Sequence, residues 1–435
     1  MLYRAKYVSV SLLGGRMKQH IRKCLCQFLC TLFILAPNLS ANAITIHVAD
    51  SPETNLSLAL TAINSAKKEL VMNAYELNSP EIASALQKKI KSIPVTILLE
   101  GQPVGGMGEA GIQIRDLIVA SMNRSSLPHK FLVMSSDTPK GEKARRFRFD
   151  HAKYIIVDGD ALLVGSENYS VSGHPKEGTK GTRGWETLIH DKGIASSFMQ
   201  LFKTDSTTQH GDVFLISNSR PRGPAQMLGQ WSQDFAAMGG FDDGVSGFKP
   251  PQPMTFEVPT INQLTSPNTS LNGLINFIKS AKKTLDLELM SFSYRWGNTG
   301  NVSPLFSAVV DAARRGVKVR VLLNDERAFG GGERIESEEL SPKASNNLLV
   351  VEQLEELSKK EKLHLEAYIA DIKSMGVKYI HNKGAIADGE RVLVSSINWN
   401  RNSLENNREA AVVVNSEEVS AYYSELFNFD WNASR

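Results

Sequence analysis

The chain has 435 residues, 42% of them apolar and 22% charged, with a net charge of +3. That is room for two domains of ordinary size and the composition of a soluble globular protein. The charge is too small for the globally basic footprint of a dedicated nucleic-acid binder.

The N-terminus reads as a leader. Lys18, Arg22 and Lys23 precede an apolar run from Cys24 to Ala36, then Pro37 and the small-residue exit Ala41-Asn42-Ala43. This is the pattern of a secretory signal peptide over residues 1–43, with translation starting at Met1 or Met17. The alternative, an uncleaved anchor, fits less well because the run is short for a spanning helix. Removing the leader takes away Cys24, Cys26 and Cys30, which are all the cysteines. It also takes six cations and no acids, leaving 43 basic against 46 acidic residues. The expectation is an exported protein, periplasmic or secreted, without disulfides or thiol chemistry.

An internal repeat follows. Ser51–Leu70 aligns without gaps to Ser266–Leu285. Leu56, Leu60 and Ile63 recur at helical spacing, as do Leu271, Leu274, Ile275 and Ile278, so each copy predicts an amphipathic helix leading into a strand. Ser79-Pro80 and Ser303-Pro304 each start a second helix, with Pro at the favoured first position. Apolar strands follow at Val95–Glu100 and Val317–Leu323. Alternating strands and helices predict an α/β fold in each half. The domains expected are 44–243 and 261–435, joined by a linker at 244–260 that includes the Gly/Pro-rich stretch Gly244–Pro253. A short helix is expected at Gln230–Met238 and an amphipathic one at Asn346–Lys360.

Each half then carries one copy of a polar motif. HAKYIIVDGDALLVGSEN runs from His151 to Asn168, and HNKGAIADGERVLVSSIN from His381 to Asn398. In both, Lys (Lys153, Lys383) follows the His by two positions, Asp (Asp158, Asp388) by seven and Asn (Asn168, Asn398) by 17. The apolar runs on either side of Asp-Gly predict a hairpin. His and Lys two apart on a strand share a face, and the Asn at the far end can return to it. The two Asp lie an odd number of positions away, so they read as turn-forming. Two such spots brought together would surround a phosphate with two imidazoles and two cations.

These residues resemble the signature of the phospholipase D superfamily, His-x-Lys-x4-Asp followed by a small-residue run ending in Asn. The resemblance covers both halves and continues through Trp399, NNRE (Asn406–Glu409) and AAVVV, with Ser395 in place of the Gly165 of the first copy. It implies two pseudo-twofold-related α/β domains with the active site at their interface. It implies phosphodiester chemistry through a phosphohistidine, with the first copy's His151 as nucleophile and His381 as acid, and Lys153, Lys383, Asn168 and Asn398 holding the phosphoryl oxygens. Each His also needs an acidic partner to fix its tautomer. Glu409 matches the family's Glu. Glu186, which also precedes an apolar strand, is the first-half candidate. Ser166 and Ser396 are candidates for touching phosphate or for close packing.

The substrate reading favours phospholipid head groups at a membrane surface. An exported nuclease is the runner-up, on the strength of five cations in KGEKARRFRF (Lys140–Phe149) just ahead of His151. A non-catalytic phosphate- or lipid-binding module ranks third, and a cardiolipin-synthase-like role is disfavoured because no membrane segment follows the leader. The Gly-rich loop Gly101–Gly111 is either a rim of the site or an ordinary turn. SFSYRWG (Ser291–Gly297) either lines the mouth or packs. No ligand spacing for zinc or calcium is present, and no cofactor is expected.

Overall fold

The computed structural model describes residues 43–216, 253–296, 300–331 and 347–435. The leader, the helix expected at Gln230–Met238 and most of Gly244–Pro253 lie outside these residues. From Ala43 to Arg435 the chain forms one compact unit.

The first half contains β1 (Ile44–Ser51), α1 (Asn55–Ser65), β2 (Leu70–Ala74), α2 (Pro80–Ile90), β3 (Val95–Glu100), α3 (Gly108–Asn123), β4 (Lys130–Met134), β5 (Tyr154–Val157), β6 (Ala161–Gly165), β7 (Gly184–His190), α4 (Lys192–Asp205) and β8 (Val213–Leu215). The second contains β9 (Met254–Val258), β10 (Thr260–Ser266), α5 (Ser270–Ser280), β11 (Thr284–Leu289), α6 (Pro304–Arg314), β12 (Lys318–Leu323), α7 (Asn347–Glu361), β13 (Leu365–Ile369), β14 (Lys383–Ala387), β15 (Arg391–Ser395), β16 (Glu409–Asn415) and α8 (Glu417–Ser434). Both Ser-Pro helix starts are as the sequence predicts. Ser79 and Ser303 accept hydrogen bonds from the backbone N–H of Ile82 and Phe306, with Pro at the first helical position.

The strands form two large sheets, ordered β8-β4-β3-β2-β5-β6-β7-β1-β9 and β10-β16-β15-β14-β11-β12-β13. In each, a parallel segment built by helical crossovers (β2-β3-β4; β11-β12-β13) adjoins antiparallel strands from the motif hairpin. The parallel strands are mostly buried, which accounts for their nearly unbroken apolar sequence. One boundary differs from the expectation. Met254–Val258, inside the stretch read as linker, is a strand that pairs antiparallel with β1 and completes the first sheet. Its alternating MTFEV was overshadowed by the adjacent Pro/Gly punctuation.

Three hydrophobic clusters set the layers. One packs α1, α2 and α3 on the outer face of the first sheet. A second packs α5, α6 and α7 on the outer face of the second sheet. The third lies between the sheets and draws on both halves, with Phe198 and Phe202 of α4 and Tyr423, Phe427 and Trp431 of α8. The sheets approach closely at Gly384, where an added Cβ would lie 2.4 Å from the ring of Trp185 in the other half.

The motif hairpins turn as their Asp-Gly pairs dictate. Asp158 and Gly159 have φ of 55° and 71°, and Asp388 and Gly389 have 60° and 67°. Two consecutive positive φ values make a type I′ turn, which favours these residue types. The Asp158 carboxylate accepts from the backbone N–H of Lys67, Lys68 and Glu69. Asp388 does the same for Lys282, Lys283 and Thr284. Each aspartate thus clamps its hairpin to the turn entering β2 or β11, away from the His.

Candidate functional site

Each motif histidine begins where its strand leaves the sheet, and each is fixed by the opposite half. The His151 backbone N–H donates to Arg408 O at 2.8 Å, and that of His381 to Arg183 O at 2.9 Å. The side chains repeat the crossing. His151 Nδ1 lies 2.9 Å from both carboxylate oxygens of Glu409, and His381 Nδ1 lies 3.3 Å from Glu167 Oε2. All four side chains are buried. An ionised carboxylate only accepts, so at His151 this geometry places the proton on Nδ1 and leaves Nε2 as the ring's acceptor.

Glu409 is held on both oxygens. Ser396 Oγ donates to Oε2 at 2.6 Å and Asn407 Nδ2 to Oε1 at 3.1 Å. Glu167 accepts from Thr182 Oγ1 at 2.6 Å. Burial alone would raise the Glu167 carboxyl, but the charge and hydrogen bond of His381, the Thr182 hydroxyl and the Lys383 charge outweigh it and leave it below the usual range.

The lysines are fully buried and tied back to their own motif. Lys153 Nζ donates to His151 O at 2.7 Å and sits 5.0 Å from the centre of the Tyr75 ring. Lys383 Nζ donates to His381 O at 2.5 Å and lies 3.4 Å from Met290 Sδ. Tyr75 and Met290 occupy matching places just past β2 and β11. Tyr75 also packs edge-on against His151, with centroids 4.5 Å apart. The Oδ1 atoms of Asn168 and Asn398 are buried without a hydrogen-bond partner, so each can accept from a donor that a ligand brings. Among the described residues no group of three or more His, Cys, Asp or Glu gathers as a metal site would require.

One candidate is placed elsewhere than the sequence suggests. Glu186 does not reach either motif histidine. Its carboxylate lies 3.1 Å from Nε2 of His174, whose Nδ1 bonds Asn168 O at 2.8 Å. Burial lowers the His174 imidazole, but Glu186 and the Asn168 carbonyl more than offset this, leaving it raised. Ser166 accepts from Trp185 N at 3.1 Å and Ser396 Oγ donates to Glu409, so both hydroxyls serve the protein frame.

The flanking segments resolve as well. In the basic run Arg145 pairs with the buried Glu100, and Arg146 pairs with Asp212 at 2.9 Å, so two of the five cations are consumed structurally. The Gly-rich loop turns beside Tyr75. Gly105 and Gly106 adopt φ of 77° and 80°, and Val104 N donates to the Tyr75 hydroxyl at 2.7 Å, one side chain away from His151. The described part of SFSYRWG, Ser291–Trp296, packs: Phe292 stands edge-on to Trp399, and Arg295 stacks on Tyr294.

A family profile described as cardiolipin synthase, PLD-like domain, matches residues 59–206 and 274–431. The chain belongs to the phospholipase D-like family. Among characterised members it is similar to the mitochondrial cardiolipin hydrolase of Chlamydomonas reinhardtii, 22% identical over 164 residues, covering 38% of this chain and 58% of the relative. The mitochondrial cardiolipin hydrolase of Canis lupus familiaris is 26% identical over 164 residues, covering 38% and 51%. The chain thus spans little more than half the length of these relatives. In fold it resembles the phosphatidylserine synthase of Haemophilus influenzae Rd KW20, with a TM-score of 0.59 at 14% identity, covering 90% of this chain and 88% of that one. The phospholipase D-like repeat explains why the profile matches twice.

Sequence reasoning missed Glu167, His174 and Tyr75. Glu167 stands beside Asn168 within the motif itself, where no strand start marks it as an acid partner.

Proposed function

We propose that this protein is an exported phosphodiesterase of the phospholipase D type, cleaving phospholipid head groups through a phosphohistidine. The observation that carries the reading is the placement of each motif histidine against a buried glutamate of the other half, beside two buried lysines. A phosphodiester resists attack because its anionic oxygens repel nucleophiles. A site that supplies fixed cations and amide donors to those oxygens lowers that barrier.

In the first step Glu409 accepts the His151 Nδ1 proton bond, and the Nε2 lone pair attacks phosphorus. The P–O bond to the leaving alcohol breaks, and His381, protonated and held by Glu167, delivers its Nε2 proton to that oxygen. In the second step His381 takes a proton from water, whose oxygen attacks phosphorus. The P–N bond breaks and His151 is restored. The sum is one phosphodiester and one water to a phosphomonoester and an alcohol. Lys153, Lys383, Asn168 and Asn398 hold the phosphoryl oxygens through both steps.

The relatives named for cardiolipin favour a phospholipid substrate. The nuclease reading rested on the basic run, and Arg145 and Arg146 are spent on Glu100 and Asp212. The test offers the full chain, in EDTA, cardiolipin or phosphatidylglycerol vesicles containing ethanol, and separately single- and double-stranded DNA. Head-group release with phosphatidylethanol formation, absent in His151→Ala and His381→Ala, is the expected result. DNA cleavage with lipid untouched would overturn the lipid assignment.

A further inference from the structure

The pseudo-twofold repeat makes one departure visible. The ladder between β10 and β16 sets Ser266 opposite Glu409. The matching ladder between β1 and β7 sets Ser51 opposite Gly184. Ser51 and Ser266 are equivalent in the sequence repeat, so Gly184 stands where the second half has its site glutamate. The first half carries no acid at that position. The motif interior shows the reverse: the residue before Asn168 is Glu167, and the residue before Asn398 is the buried Ile397, which belongs to the outer apolar core of the second half.

The two departures meet in space. A Cβ added at Gly184 would lie 1.9 Å from Glu167 Oε1 and 2.6 Å from its Cδ. The Glu167 carboxylate therefore fills the volume that a residue-184 side chain would take. From there it faces His381 as Glu409 faces His151. The charged and titratable groups around it are His381 and Lys383 on one side and the His174–Glu186 pair on the other. Glu186 is two residues further along β7, on the same face of the strand, but His174 engages it.

We propose that Glu167 is the positioning acid of His381, acting from the end of β6 in place of a glutamate at the start of β7, and that residues 167 and 184 are functionally exchangeable. This rests on the phosphodiesterase reading for its role: Glu167 holds the His381 ring with its proton on Nδ1 and stabilises the imidazolium that protonates the leaving alcohol. It requires the glycine at 184, because the relocated carboxylate and a side chain there exclude each other. An acid at both positions would clash, and an acid at neither would leave His381 without a carboxylate.

The experiment uses the full chain and the variants Glu167→Gln, Glu167→Ala and the double variant Glu167→Ala/Gly184→Glu. Imidazole proton resonances of His151 and His381 are followed against pH, assigned from His151→Gln and His381→Gln. Thermal melting checks the fold, and the near-isosteric Glu167→Gln keeps the test valid if the double variant fails to fold. In Glu167→Gln the His381 midpoint should fall by about one pH unit or more, as loss of an adjacent opposite charge predicts, while His151 stays in place. The double variant should bring the His381 midpoint back. With substrate, Glu167→Gln should lose on the order of 100-fold or more in kcat, by analogy with removal of the acid from a catalytic triad, with KM little changed and activity regained in the double variant. A His381 titration that does not respond to Glu167→Gln would overturn the proposal. The titration needs no substrate, so failure to cleave any phosphodiester would count against the functional reading and leave the Glu167 assignment to be judged on its own result.

Discussion

The two halves carry the same histidine, lysine and asparagine in the same spacing, yet they supply the glutamate differently. The second half sends Glu409 from the start of β16 to His151. The first half sends Glu167 from the end of β6 to His381. The backbone ladders around both are alike, down to a buried arginine beside each acid position. Arg183 bonds Asp430 of α8 at 2.7 Å, and Arg408 bonds Asp205 of α4 at 2.7 Å. The frame is therefore constrained by the repeat, while the carboxylate is constrained only by where it must arrive. The consequence is that neither half holds a finished site: each histidine is bonded through its backbone to the other half and faces a carboxylate from it.

That comparison can be broken most severely at the histidines. His151→Ala and His381→Ala should each lower turnover by at least about 1000-fold, since either loss removes a group that the chemistry needs. Activity surviving in either variant would remove the equivalence of the two halves.

The arginines test the frame. Arg183 is fully buried among Asp50, Glu53 and Asp430, and Arg183→Met leaves those acids without their cation. Breaking a buried ion pair on one side costs about 3–5 kcal/mol, so urea unfolding should show a loss of that size. Arg408→Met, facing Asp205, should behave alike, and a large difference would mean the two joints are not equivalent.

A pH test isolates an asymmetry at Asp150, whose counterpart next to His381 is the apolar Ile380. Burial, with Asp205 and Glu100 adding to it, pushes the Asp150 carboxyl up to about 8. The folded state then binds a proton that the unfolded state releases near pH 4. Asp150 therefore contributes stability at low pH that is lost as pH rises toward 8, with a slope of at most about 1.4 kcal/mol per pH unit. In Asp150→Asn that component of the slope should vanish from unfolding curves between pH 4 and 8, and an unchanged slope would contradict the protonated state.

The smallest effect is expected at the turns. Asp158→Ala and Asp388→Ala each strand three backbone donors at the surface, worth about 2 kcal/mol for bonds to a charged acceptor. Partial burial raises these carboxyls, but the backbone donors outweigh it and leave both lowered. Their contribution should be present above the unfolded carboxylate range and fade as pH falls below it. Equal losses from the two variants would confirm that the hairpins are copies; unequal ones would sharpen where the repeat has drifted.

Much of this was legible in the sequence. The Ser-Pro helix starts, the parallel strands and the Asp-Gly hairpins follow from local chemistry, which acts within a few residues. The helix expected at Asn346–Lys360 is Asn347–Glu361. What local chemistry cannot reveal is pairing across the halves. His151 and Glu409 are 258 positions apart, and no periodicity connects them. Glu186 was read as an acid partner because it precedes an apolar strand, and its capture by His174 depends on the turn after Asn168. The five cations before His151 look like a steering patch until Glu100 and Asp212 are seen to pair with two of them. Met254–Val258 was hidden by its Pro/Gly neighbourhood, since its partner β1 lies at the other end of the first half.

The central claim is that one histidine from each half performs a distinct chemical role, with His151 taking the phosphoryl group. The direct measurement mixes the full chain with cardiolipin, quenches in alkaline denaturant within the first turnovers and maps the phosphorylated peptide by mass spectrometry. The account predicts the adduct on the peptide carrying His151 and none in His151→Ala. An adduct on His381, or turnover with no histidine adduct at any time, would contradict it.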